Sequence, residues 1–277
     1  LDLAFDFEWA NANLFYGLYT RSRSYFNNSE LEAKGLPSPG ELALLEPLRA
    51  QIPPEVFTTE YANPVNTTPQ DRRKNLRAAQ GLLAEAGWKP VQAGGKQILR
   101  NDKGETFSFT ITLDSEAFQR VALPYAEQLA LLGIEAKVRL ADAAQFERLE
   151  GDYDFDMIVG SWGQSLSPGN EQREFFGSEF AAKKESRNVV GIRNPAVDVL
   201  IDKIIAAPNR ADLIAACRAM DRVLMWNHYV IPMWFKAADW IAYWKRVQHP
   251  ANMPGYSPGY PTIWWFDAAA DAQMKKS

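Results

Sequence analysis

Cysteine and histidine are nearly absent from this sequence, and their scarcity removes several function classes at once. One cysteine, Cys217, excludes an internal disulfide framework. The two histidines, His228 and His249, stand too far apart for a zinc pair at helical spacing, so metal hydrolysis has no ligand set and no metal site is expected. No apolar run approaches the length of about 20 residues that a membrane-spanning helix needs. The strongest candidate, Tyr229 to Phe235, is short and contains Pro232. No Lys/Arg block is present, and 30 basic against 34 acidic residues leave a net charge of -4, which excludes a nucleic-acid partner.

Catalytic signatures are missing too. There is no G-x-S-x-G elbow, no Walker loop and no dinucleotide fingerprint, so no catalytic residue and no cofactor is expected. Asp152, Asp154 and Asp156 resemble the start of a calcium loop, but the glycine and distal glutamate of such a loop are absent, and the three read as acidic residues at a strand entry. The start at Leu1, without Met, basic n-region or small-residue cleavage site, reads as that of a cut or processed piece.

What the chain does have is apolar and aromatic residues. In 277 residues, 47% are hydrophobic and nine are tryptophan, enough for a large core and for a cleft that grips ligands by stacking. In residues 1 to 30, Phe5, Trp9, Phe15 and Tyr16 are read as one packed helical face; RSRSYF reads first as a solvated connector, with an extended passage placing Arg21, Arg23 and Tyr25 on one side as the alternative. Ser38, Pro39 and Glu41 spell a capped helix start ahead of Leu42, Leu45 and Leu48. The Pro/Asn/Thr cluster through Thr68 reads as a long surface connection. After Pro69, Leu76, Ala79, Leu82, Leu83 and Ala86 recur at helical spacing up to Gly87.

Gln92 to Gly104 reads as a turn-rich hairpin and Phe107 to Leu113 as a half-buried strand. A helix from about Ala117 ends at Gly133, and Ile134 to Leu140 is the next strand, which makes a right-handed βαβ unit with parallel strands. A helix from Ala143 to Leu149 leads into Phe155 to Ser161, an apolar strand that opens into a Gly/Ser/Pro loop. Ligands of open α/β sheets sit beyond the carboxyl ends of strands, so Trp162 to Ser165 is the candidate contact surface. Asn194 and Asn209 cap two further helices, and Cys217 falls on the apolar face of the second, as a buried small hydrophobe.

Three runs carry a family resemblance: FDMIVGSWG at Phe155 to Gly163, NVVGIRNPAVDVLIDKII from Asn188, and RAMDRVLMWNHYVIPMW from Arg218 to Trp234. With them the chain resembles the C-terminal half of the extracellular solute-binding proteins of family 5, the peptide-binding subunits of bacterial ABC importers. The runs LAFDFEWANANLFYGLYTRSRSYFNNSEL, EPLRAQIPPEVFT and PGYPTIWWFD are similar to the Yej-type oligopeptide and microcin C branch.

The resemblance implies an α/β fold, one lobe of a two-lobed type II periplasmic binding protein with a mixed sheet flanked by helices. Residues 1–70 would form an entry and connecting segment, 71–250 the ligand-binding lobe, and 251–277 an aromatic segment returning to the other lobe. It further implies a monomeric periplasmic receptor that holds a peptide or peptide-like ligand and delivers it to a membrane permease. The ligand would meet Trp162, Gly163, Gln164 and Ser165, with Arg23, Tyr25 and Asn188 nearby. One departure stands out: peptide binders of the family carry an aspartate three residues after the tryptophan, for the ligand's amine, and here that position is Ser165. A serine cannot neutralise a buried ammonium group. The Trp-rich C-terminal fifth motivates an alternative, a carbohydrate-active or glycan-binding domain, and a third reading is an interaction domain without a small ligand.

Overall fold

Local signals set the first elements. The computed structural model describes residues 1–274. Asp6 accepts a hydrogen bond from the Trp9 N–H at 3.0 Å and opens α1 (Phe7–Leu14), which leads to the two-residue β1 (Thr20–Arg21). Ser38 and Glu41 close a reciprocal capping box on α2 (Pro39–Leu45), and a 3-10 turn over Glu46–Gln51 and α3 (Glu55–Thr58) follow. The expected surface connection is therefore partly core, since Val56 within it is buried. Thr68 and Asp71 box the start of α4 (Pro69–Glu85), whose Ala79 is buried while Leu82 is exposed.

The antiparallel hairpin of β2 (Lys89–Ala93) and β3 (Lys96–Arg100) turns on Gly94 and Gly95, at φ +58° and +78°, the backbone a two-residue primed turn requires. Next come β4 (Ser108–Leu113), α5 (Gln119–Leu131), β5 (Glu135–Leu140), α6 (Ala143–Asp152) and β6 (Met157–Ile158). These three strands form a parallel sheet in the order β5-β4-β6, in register from Ser108↔Glu135 to Leu113↔Leu140 on one side and at Ile111↔Met157 and Thr112↔Ile158 on the other. The β4–α5–β5 crossover matches the expected βαβ unit. Gly133 ends it at φ +86°, where a Cβ would stand 3.1 Å from the Ile98 carbonyl carbon, so the tight approach to β3 demands glycine.

The strand expected over Phe155 to Ser161 is shorter: only Met157 and Ile158 pair, with Ile111 and Thr112 of β4. The remaining elements are α7 (Glu171–Phe176), α8 (Pro195–Ile205), α9 (Arg210–Trp226) and β7 (Trp234–Phe235), the last paired antiparallel with β1.

Two compact units result, Leu1–Phe235 and a second beginning at Lys236. Residues 1–70 pack within the larger unit and do not stand apart. The second unit pairs β8 (Val247–Gln248) with β9 (Trp265–Phe266) and ends in α10 (Ala268–Met274); the last three residues of the expected 251–277 segment lie outside the described residues.

The larger unit holds two apolar cores. One gathers Ile111, Leu113, Val121, Leu129 and Ile134 around the parallel sheet, with Phe5 and Phe15 from the N-terminal segment. The other is helical, with Leu45, Val56, Phe176, Leu200 and Met220. Cys217 belongs to the second core, fully buried, its thiol pushed up to about 12 by burial, which suits a packing role. Trp9 and Tyr16 do not join Phe5 and Phe15 as one helical face: Phe5 precedes α1, Trp9 faces outward, and Tyr16 lies past the helix end at φ +55° and 84% exposed.

Candidate ligand-binding cleft

Between the two cores lies a cavity of about 1130 Å³. The sheet core contributes Ile111 and Met157 from neighbouring strands and Phe118 and Val121 from the start of α5; the helical core contributes Tyr25, Trp162, Trp226 and Tyr229. Among the described residues no lysine or arginine lines it, and two carboxylates do, Asp2 and Asp156. Asp156 accepts the Thr110 N–H at 2.9 Å and stands outside every ion pair of the described residues. Burial pushes the Asp2 carboxyl up, and the Arg21 guanidinium 2.7 Å away opposes that shift.

Trp162 is half-buried on this wall. Its ring lies 5.8 Å from Tyr25 and 5.7 Å from Phe176, and its Nε1 donates to the Arg187 carbonyl at 3.2 Å. Gln164 and Ser165 also line the cavity, whereas Gly163 does not. The Gln164 carboxamide is engaged with the buried Gln172, whose Nε2 donates to Gln164 Oε1 at 2.7 Å. The Ser165 hydroxyl accepts the Ser167 N–H at 3.1 Å. Among the described residues, no backbone N–H or C=O of Gly160 to Gln164 is hydrogen-bonded, so the chain that continues β6 presents free main-chain groups at the cavity rim.

Tyr25 lines the cavity as expected, but Arg21, Arg23 and Tyr25 do not share one side. The Tyr25 N–H donates to Asp221 Oδ1 at 2.7 Å and the Ala33 N–H to Asp221 Oδ2 at 3.0 Å, fixing this loop on α9. Asp221 is fully buried; desolvation pushes its carboxyl up to about 6 against the hydrogen bonds from Ser24, Ala33 and Tyr25. Arg23 turns away from the main cavity, pairs with Glu32 at 2.8 Å, and lines a second pocket of about 380 Å³.

Asn188 requires a correction, because it does not reach the cavity. It is fully buried, its Nδ2 donates to the carbonyls of Gly177 and Ile192 at 3.0 Å each, and its Oδ1 accepts the Ile192 N–H at 2.8 Å. Its amide holds the loop whose Arg187 carbonyl anchors Trp162, so it positions the wall from behind.

Sequence reasoning missed Arg21, Tyr61 and Trp226 as residues that build the site. Arg21 is buried and clasps three segments: Asp2, the Pro64 carbonyl at 2.5 Å and the Pro232 carbonyl at 3.4 Å. Only the fold brings those segments together, so no local signal marks it. Trp226 ends α9 within the run quoted for the family resemblance, and that run was the available signal. Among the described residues no group of three or more His, Cys, Asp or Glu is placed to hold a metal ion, and no helix is long and apolar enough to cross a membrane.

Comparison with known proteins adds independent findings. The family model described as bacterial extracellular solute-binding proteins, family 5 (middle), matches residues 1–184. The y4wM protein of Sinorhizobium fredii is 46% identical over 98% of this chain and 40% of its own length; the probable peptide-binding protein YejA of Agrobacterium fabrum is 44% identical over 98% and 44%. The chain thus spans less than half the length of these relatives. Among solved structures, the oligopeptide-binding protein AppA of Bacillus subtilis, in complex with a nonapeptide, superposes with a TM-score of 0.64 at 20% identity, covering 96% of this chain and 46% of AppA. That likeness establishes the fold, a type II periplasmic binding protein lobe.

Proposed function

The chain belongs to the bacterial extracellular solute-binding proteins of family 5, and from that premise we propose that it is part of the substrate-binding subunit of an ABC importer, capturing peptides or peptide-like solutes in the cavity between its two cores. The observation that carries this reading is the free main chain of Gly160 to Gln164, which continues the edge strand β6 along the rim of an apolar and aromatic cavity. Such an edge takes an extended ligand by strand addition: main-chain hydrogen bonds give affinity without selecting side chains, and a roomy apolar wall accommodates many of them. The nonapeptide bound to AppA and the similarity to YejA, a probable peptide-binding protein, support the same class of solute.

The ligand would lie with its main chain on Gly160 to Gln164, one side of it against Trp162 and Tyr25. Ser165 lines the cavity just beyond that edge, while Gly163 only carries the main chain between Trp162 and Gln164. A ligand amine has Asp156 as its carboxylate on this lobe, since Ser165 carries no charge and Asp2 is committed to Arg21. The protein acts without catalysis, as a monomer in the periplasm, and hands the ligand to a membrane permease. A calorimetric titration with peptides of graded length, set against matched oligosaccharides, tests this: saturable heat with peptides and none with saccharides is expected. Saccharide binding without peptide binding would overturn it.

A further inference from the structure

Two buried polar atoms on the cavity wall have no hydrogen-bond partner in the protein: the Tyr25 hydroxyl and Trp226 Nε1. Such orphans are rare, because a buried donor without a partner costs about 1–3 kcal/mol. Both belong to residues that line the same cavity, and neither is a leftover of poor packing. Tyr25 packs edge-on against Phe176 at 5.2 Å, and Trp226 takes Tyr61 edge-on at 5.4 Å. Burial, with the Asp221 carboxylate nearby, also holds the Tyr25 hydroxyl in its neutral, donating form.

Building on the peptide-binding reading, we infer that Trp226 Nε1 and the Tyr25 hydroxyl form a latent hydrogen-bonding subsite for main-chain carbonyl oxygens of the ligand. The indole N–H can only donate and the neutral phenol can donate, so the complementary ligand group is an acceptor. The amide carbonyl, repeated along every peptide, is the acceptor that any peptide offers whatever its side chains. Neither atom is open to solvent. Tyr61, on the irregular segment between α3 and α4, stands edge-on to Trp226 and lines both the cavity and the second pocket of about 380 Å³, so a shift of its ring would be the route to Trp226 Nε1. That pocket gives the Tyr61 ring a place to move when a carbonyl takes its position. A bond formed at these buried donors gains more than one formed at the wet rim.

The test uses Tyr25→Phe and Trp226→Phe in the full-length protein, with calorimetric affinity for a peptide that the unsubstituted protein binds and a thermal melt of each unliganded variant. Removing an orphaned polar atom should leave the melting temperature of Tyr25→Phe unchanged or raised, while its peptide affinity falls roughly three- to tenfold. Trp226→Phe should lose a similar factor in affinity; if its smaller ring costs too much packing to fold, Tyr25→Phe carries the test alone. Unchanged affinity in Tyr25→Phe would overturn the subsite and leave the peptide-binding reading standing. Absence of any peptide binding by the unsubstituted protein would overturn that reading, and the subsite with it.

Discussion

Trp162→Ala separates the two jobs that the cleft geometry gives this side chain. The ring is half-buried, packs against Tyr25 and Phe176 at 5.8 and 5.7 Å, and its N–H bonds the Arg187 carbonyl. Truncating a fully buried tryptophan costs about 3–5 kcal/mol, so a half-buried one should cost about 2 kcal/mol, of which the N–H bond supplies about 1. The exposed half of the ring is the part offered to ligand, and losing it should weaken peptide binding about tenfold. Trp162→Phe keeps a ring on the wall without the N–H, so it should retain most of the affinity while losing about 1 kcal/mol of stability. Urea unfolding and calorimetry on the same preparations give both quantities. Affinity unchanged in Trp162→Ala would show that the tryptophan only braces the helical core, and the assignment of this wall would fail.

Other consequences follow from single contacts. Asn188→Ala should destabilise the protein by about 2–4 kcal/mol in urea, because it orphans three buried backbone groups, yet Asn188 should show no direct contact with ligand by chemical-shift perturbation. Removing one partner of the buried Arg222–Glu41 pair, 2.6 Å apart, by Glu41→Ala should cost about 3–5 kcal/mol, and the double variant Glu41→Leu with Arg222→Met should recover part of it. Asp221 has a folded pKa near 6, raised by burial from 3.8, so the folded state holds its proton more tightly. Its contribution is stabilising below the unfolded value and is lost as pH rises through 6; Asp221→Asn should remove a pH-dependence of about 2 kcal/mol between pH 4 and 7, read from urea midpoints. Asp156→Asn should weaken peptides with a free amine more than their N-acetylated forms, and an equal effect on both would exclude Asp156 as the amine's partner.

The parts of the fold that were legible are those in which neighbours along the chain decide the structure. Ser38 with Glu41 and Asn194 before Pro195 cap helices by local hydrogen bonds, and FSFTITL marks β4 by its pattern, although Ile111, Thr112 and Leu113 are all buried and the strand is covered on both faces at its end. The stretch from Phe155 to Ser161 reads as a strand throughout, but only Met157 and Ile158 pair with β4, an extent of pairing that no window of sequence contains. Arg21 reads as a solvated basic residue until the fold brings Pro64 and Pro232 to it. Trp162 was legible because it stands in a Gly/Ser/Pro loop at the end of a strand-like run, whereas Tyr25 came only with the family resemblance; both line the cavity. Asn188 was misplaced because proximity to the cleft in the fold does not say which way a side chain turns, and its amide is used up by carbonyls 11 and 4 residues away.

The most direct measurement is native mass spectrometry of the full-length protein purified from its own cells under conditions that retain bound solutes, followed by release and sequencing of what it carries. The account predicts a series of bound masses that resolve into peptides, lost or reduced in Trp162→Ala. A series spaced by hexose units, or a protein that carries nothing and shows no thermal shift with any peptide, would contradict it.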